Sequence, residues 1–147
     1  MGSANGNLVA VDPNGAARWT MGAGFGVVSS PAIGGSDAIY VGSGNAQLHA
    51  ADRDGNQRWV YAADGIVSAP AVGGDGTVYA GSADGVLHAV TEAGNFKWDY
   101  DTSGAPTAPA VAADGVVLVG SLGGFVYAVG RSGEHTSELQ SLLIISY

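Results

Sequence analysis

The feature that most restricts this chain is an internal repeat of about 39 residues. Tryptophans stand at Trp19, Trp59 and Trp98, spaced by 40 and 39. Pro31, Pro70 and Pro109 are each 39 apart. Gly-Ser pairs begin at Gly42, Gly81 and Gly120, again 39 apart, and Gly2-Ser3 joins the series at 40. One extra residue in the glycine-rich stretch 22–26 accounts for both intervals of 40. Independent markers that share one period mean one supersecondary unit copied along the chain.

The sharpest copy of the unit is AADRDGNQRW, which runs from Ala50 through Gly55 to Trp59. A small apolar residue leads into an Asp-x-x-Gly corner, and a tryptophan closes it. The same arrangement links Ala10, Gly15 and Trp19, and again Ala89, Gly94 and Trp98. Between such copies, residues 66–72, 77–81, 86–90 and 95–100 read as four short strands. Three glycine turns join them, two with Asp-Gly, which tolerates positive φ at little cost. The middle strands do not alternate apolar with polar. Val116-Val117-Leu118-Val119 is apolar on both faces, as expected of a sheet packed between other layers.

Composition agrees. The 147 residues are 46% hydrophobic and only 12% charged, which rules out a disordered chain. The 25 glycines suit short strands and tight turns better than long helices. The net charge of −8 disfavours nucleic acid and anionic membrane surfaces, both of which need clustered Lys and Arg. No apolar run reaches membrane-spanning length, so membrane insertion is not expected. The absence of cysteine excludes disulfides and thiolate chemistry.

Repeated four-stranded sheets covered on both faces predict an all-β chain, a β-propeller of four-stranded antiparallel blades. A β-helix would need shorter coils. An immunoglobulin-like sandwich would not repeat at this period.

Two units, YVGSGNAQLHAADRDGNQRWVY and YAGSADGVLHAVTEAGNFKWDY, resemble the pyrroloquinoline-quinone (PQQ)-like propeller repeat. That pattern has an aromatic residue before Gly-Ser, a Leu-Tyr-Ala strand, an Asp-x-x-Gly turn and a docking tryptophan. The resemblance covers residues 1–133, in units of about 2–41, 42–80, 81–119 and a partial 120–133. The chain departs from the pattern in places. His49 and His88 replace the tyrosine kept at Tyr127, and Thr91 and Gly130 replace the aspartate kept at Asp12 and Asp52. The resemblance implies a location in the periplasm or outside the cell.

Both ends depart from the repeat. Met1 aligns with Val41 and Ala80, inside a second strand, and Ser137 stands where the period calls for tryptophan. The segment RSGEHTSELQS, from Arg131 to Ser141, is similar to the conceptual translation of a common sequencing-library adapter. Residues 134–147 are therefore expected to be non-native. The rest is expected to form an open arc of about three and a half blades cut from a larger ring. Its end faces should associate with missing blades of the same propeller or with further copies of the chain.

Candidate chemistry is sparse. The tryptophans recur at one position per unit, so structural docking fits them better than stacking on a ligand. The same structural reading covers Ala10, Ala50, Ala89, Gly15, Gly55 and Gly94. His49 and His88 lack the further ligands that a metal site needs. Residues 52–56 resemble a calcium loop, but Gln57 and Ala63 stand where an EF-hand needs Gly and Glu. Residues 22–26 miss the dinucleotide-binding glycine spacing, with Val27 at the third glycine position. The Gly-Ser serines lack a base and should bond the adjacent turn. Arg18, Arg58 and Lys97, each before a tryptophan, read as solvated or cross-strand positions. His135 belongs to the suspect tail.

Two functions remain. One is a non-catalytic propeller module that binds a protein or glycan, as in relatives of this repeat that scaffold outer-membrane protein assembly or act as sensors. No catalytic, cofactor-binding or metal residue is expected in that case. The alternative is part of a PQQ-dependent alcohol or sugar dehydrogenase, for which the resemblance implies PQQ over calcium, a catalytic Asp and often paired cysteines. The regularity of the units favours the first, because a reaction site needs an asymmetric convergence of groups.

Overall fold

The computed structural model describes residues 1–134 except Val27, Val28 and Ile66. Thirteen strands form four antiparallel sheets, with no helix among the described residues. The first sheet pairs β1 (Asn7–Val11) with β2 (Ala17–Gly22). The second holds β3 (Ala32–Ile33), β4 (Ile39–Gly42), β5 (Gln47–Ala51) and β6 (Gln57–Ala62) in sequence order. The third repeats it with β7 (Ala71–Val72), β8 (Val78–Ser82), β9 (Val86–Val90) and β10 (Phe96–Asp101). The fourth contains β11 (Ala110–Val111), β12 (Val117–Gly120) and β13 (Val126–Val129). This is an open arc of propeller blades, two of them complete.

Each interface between neighbouring sheets has its own apolar layer. Leu8, Met21 and Ala23 meet Val41 and Ala51 between the first and second sheets. Tyr40, Leu48 and Ala50 meet Val78, Ala80 and Val90 between the second and third. Tyr79, Leu87 and Ala89 meet Val117, Val119, Tyr127 and Val129 between the third and fourth. An inner sheet therefore buries both faces, which is why its middle strands carry no polar alternation. Full burial of one such leucine contributes about 1.5–3 kcal/mol.

Two expectations need correction. The first strand of the third sheet is shorter than residues 66–72, because only Ala71 and Val72 form its ladder. Proline has no N–H to donate, so the ladder stops at Pro70. An isolated bridge between Val67 and Ser82 and a bond from Ser68 N to Gly81 O, 2.7 Å, continue the pairing before it. The second correction is Leu118, which is 40% exposed, whereas Tyr40 and Tyr79 at the same repeat position are 1% exposed. No described sheet covers that face of β12, so its apolar residues are buried on one side only.

The turn residues follow local chemistry. Gly15, Gly55, Gly94 and Gly133 all close their turns at φ between +84° and +88°, which glycine adopts without strain. Asp12 Oδ1 accepts from Asn14 N and Ala16 N at 2.9 and 3.0 Å. Asp52 Oδ1 accepts from Asp54 N and Asn56 N, both at 2.9 Å. Where Thr91 replaces the aspartate, its hydroxyl accepts from Asn95 N at 3.1 Å. Where Gly130 stands, the backbone alone suffices, with Gly130 N donating to Glu134 O. The turn is thus completed by Glu134, and the remainder of 134–147 lies outside the described residues.

Candidate functional site

The most ordered constellation in the arc lies where one sheet meets the turn of the next. In each hairpin the tryptophan pairs with the small residue read from the sequence: Trp19 with Ala10, Trp59 with Ala50 and Trp98 with Ala89. The register slips by one residue beside each pair, and the residue left over is Arg18, Arg58 or Lys97. Such a bulge bends the strand and re-aims the side chain beside it. The indole is thereby directed off its own sheet.

Each ring reaches the following unit. Trp19 Nε1 donates to Arg53 O at 2.8 Å, Trp59 Nε1 to Glu92 O at 2.8 Å and Trp98 Nε1 to Arg131 O at 2.6 Å. The ring plane covers the turn glycine two residues later. A Cβ on Gly55 would lie 2.5 Å from Trp19 Cδ2, and one on Gly94 would lie 2.6 Å from Trp59 Cγ. At Gly133 the distance to Trp98 Cδ2 would be 3.1 Å. Gly55 and Gly94 are thus brought to a tryptophan from the preceding unit. Gly15 meets no ring among the described residues. Gly133 was missed in the sequence, although it lies one period after Gly94.

Tyr40 and Tyr79 lean on Trp59 and Trp98, with ring centroids 5.6 and 5.7 Å apart. Burial raises the phenol pKa of both tyrosines. The bulged Lys97 Nζ reaches Thr77 Oγ1 at 2.8 Å and Asp75 Oδ2 at 3.3 Å. Arg58 Nη1 donates to Ser36 Oγ at 3.4 Å. These cations therefore tie the last strand to the first hairpin of the same sheet. Asp75 is held below the usual carboxylate range, first by the Thr77 backbone N–H.

The histidines are interior strand residues. Ser82 Oγ lies 3.1 Å from His88 Nε2, and the Tyr61 hydroxyl lies 3.4 Å from His88 Nδ1. His49, one unit earlier, has no hydrogen-bond partner of ordinary geometry at either ring nitrogen. The reason is visible in the repeat. The position that supplies Tyr61 to His88, and Tyr100 to Tyr127 at 5.6 Å between centroids, holds Met21 before His49. Burial lowers the pKa of both imidazoles, opposed at His49 by the Gln57 side chain and at His88 first by Asp84.

The Gly-Ser serines bond their own turns in three cases. Ser3, Ser43 and Ser82 Oγ donate to Asn7 O, Gln47 O and Val86 O at 3.1, 3.0 and 3.3 Å. Each also meets Asn5, Asn45 or Asp84. Ser121 Oγ has no partner among the described residues, because Gly123 replaces that Asn or Asp. A second hydroxyl series was missed in the sequence. Ser29 and Ser68 Oγ accept from Gly42 N and Gly81 N at 2.8 and 3.1 Å. Its signal is a Ser or Thr two residues before each of Pro31, Pro70 and Pro109.

Among the described residues, no three His, Asp or Glu side chains group closely enough to hold a metal ion. A groove of about 270 Å³ lies between the first two sheets, lined by Val11, Arg18, Trp19, Ile33, Asp37 and Arg53 among others. It holds cations and an apolar floor but no acid–base pair on a nucleophile.

The family model described as outer membrane protein assembly factor BamB matches residues 4–141. The chain belongs to this family. The match ends inside the 134–147 stretch. The crystal structure of BamB from Moraxella catarrhalis superposes with a TM-score of 0.77 at 20% identity, over 92% of this chain. That likeness shows the fold, a BamB-like propeller. The chain spans 43% of the length of that BamB. No curated protein matches the sequence.

Proposed function

We propose that this BamB-like arc is a non-catalytic binding or scaffold module that presents its loop face to a protein partner. The observation that carries this reading is the exposure of Phe25 and Leu122, 87% and 82%. Both belong to the side where sheet-to-sheet connections meet second-hairpin turns, as the bonds from Gly44 N to Phe25 O and Leu122 N to Ala105 O record. They belong to different sheets, so what supports a partner here is apolar contact offered at separate points along one end of the arc together with the family's description, not one contiguous patch. A glycan is the second ligand class open to such a face. The family's description as an assembly factor of the outer membrane supports protein partners and a location outside the cytoplasm. No helix among the described residues is long and apolar enough to cross a membrane.

The arc's end faces take further sheets of the same repeat or, in the isolated chain, other copies. Leu118 and Val11 support this, since Val11 is 48% exposed where Ala51 and Val90 are fully buried. Concentration-dependent mass by light scattering is the expected result, and a clean monomer at high concentration counts against it.

The competing dehydrogenase reading is favoured only by the family resemblance. Titration with PQQ and calcium, followed by absorbance, separates the two. The scaffold reading expects no saturable change, and saturable binding at micromolar ligand would reverse the preference.

A further inference from the structure

We infer that Tyr61, His88, Ser82 and Asp84 form a proton-operated latch between the second and third sheets, closed while the His88 ring is neutral and open once it is protonated. Both of these sheets have all four strands. The Tyr61 hydroxyl on β6 lies 3.4 Å from His88 Nδ1 on β9, and the two rings meet edge-on with centroids 5.6 Å apart. His88 Nε2 lies 3.1 Å from Ser82 Oγ. The other contacts of Ser82 Oγ are to acceptors, the Asp84 carboxylate and Val86 O, the latter at 3.3 Å. The serine hydrogen therefore points at one of those, and its oxygen accepts from His88 Nε2–H. Nδ1 is left bare to accept from the phenol. The chain of donors has one direction: Tyr61 to His88, His88 to Ser82, Ser82 to Asp84.

Protonation upsets only the first of these bonds. An imidazolium donates from both nitrogens, so Nδ1–H then points at a phenol that was itself donating, and the link across the seam must rearrange. The link within the third sheet strengthens, because a cation stands behind Ser82 and the Asp84 carboxylate. Tyr61 leads directly into the connection 62–65, which rests on the Asp84 turn: a Cβ on Gly65 would lie 2.7 Å from Asp84 N and 3.0 Å from Ala83 N. Opening the latch thus reaches the loop face. The polar groups facing the ring are Tyr61 from β6, Asp64 from the connection, Ser82 and Asp84 from the turn, and Asp99 of β10, paired opposite His88. Leu48 and Ala50 of β5 and Ala80 of β8 add no charge to the seam. Burial lowers the imidazole pKa more than Asp84, Asp99 and Asp64 raise it, so the opening falls below pH 6.5. The neighbouring seams lack the device. Met21 and Asn45 stand in the places of Tyr61 and Asp84 around His49, and Tyr127 and Gly123 replace His88 and Asp84 in the last seam. The latch belongs to one seam, not to the repeat, and it does not depend on a partner at the loop face.

The test follows the full chain by NMR, with amides and histidine rings labelled, as pH is lowered from about 8 until the chain unfolds. At the upper end His88 should carry its hydrogen on Nε2. As the ring takes up a proton, the Ala62, Ala63 and Asp84 amides should move with the same midpoint. Tyr61→Phe keeps the packed ring and removes the phenol. In that variant His88 should still titrate and the Asp84 amide still follow it, while the response at Ala62 and Ala63 is lost. Should the variant fold poorly, Ser82→Ala tests the other arm, since a ring without its Nε2 acceptor should lose the fixed tautomer. Four results would each overturn the inference: an Nδ1–H ring at neutral pH, a tautomer unchanged in Ser82→Ala, a ring that stays neutral until the chain unfolds, or Ala62 and Ala63 amides that ignore the titration or follow it equally in Tyr61→Phe.

Discussion

The indole of Trp59 lies on Gly94, a residue of the next unit, and donates its N–H to Glu92 O at 2.8 Å. The tryptophan thus belongs to one hairpin and locks the turn of another. Replacing it removes ring burial of roughly 150–250 Å² at a sheet-to-sheet interface. Trp59→Ala should destabilise the chain by about 3–5 kcal/mol in denaturant unfolding. Trp59→Phe should cost less, because only the hydrogen bond and part of the ring are lost. Equal losses in the two variants would contradict this account.

Ala46 sits at φ +64°, where Gly6, Gly85 and Gly124 occupy the same repeat position at +86° to +99°. A left-handed conformation costs a residue with a Cβ about 1–2 kcal/mol, and the added chain entropy of glycine offsets part of that. Ala46→Gly should therefore stabilise the chain by up to about 1 kcal/mol, seen as a higher unfolding midpoint. A lower midpoint would show that the Ala46 side chain contributes packing that outweighs its strain.

His49 and His88 share a repeat position but differ in partners. His49→Leu removes a buried ring whose one polar neighbour is the Gln57 side chain and should cost less than His88→Leu. His88→Leu removes the contacts to Ser82 and Tyr61, while the Ser82 hydroxyl keeps Asp84 and Val86 O, and should cost about 0.5–1.5 kcal/mol. Comparison of the two unfolding free energies at neutral pH checks the contrast.

Stability should fall on acidification in two windows. Both imidazoles titrate below their ordinary value of 6.5 in the folded chain. The unfolded chain therefore binds protons first as pH drops past 6.5, and the stabilisation from neutral His49 and His88 is lost until the folded values are passed. Asp52 and Asp75 are held below 3.8, Asp52 first by the Asn56 side chain. Their contribution is present above that value and lost as pH falls through the lower folded values. In the double variant H49L/H88L the upper window should vanish and the lower one remain, as read by thermal unfolding across pH.

The sequence by itself determined the strands, the turns and the propeller architecture. These depend on local chemistry, on glycine at positive φ and on Asp12 and Asp52 bonding N–H groups two and four residues on. A period makes such local signals legible several times over. It grouped Ala50 with Trp59 in one motif, but from the Ala51–Gln57 pair a regular ladder would set Arg58 opposite Ala50, and the bulge at Arg58 puts Trp59 there. Only the tertiary structure decided which turn each indole covers. That contact joins residues more than thirty positions apart, such as Trp59 and Glu92, and depends on the bulge at Arg58 and on the stacking of one sheet upon the next. The same holds for the exposure of Leu118 and for the different partners of His49 and His88, since Met21 precedes His49 where Tyr61 reaches His88. Each of these is set by what the adjoining sheet supplies, and a single repeat unit carries no record of its neighbour.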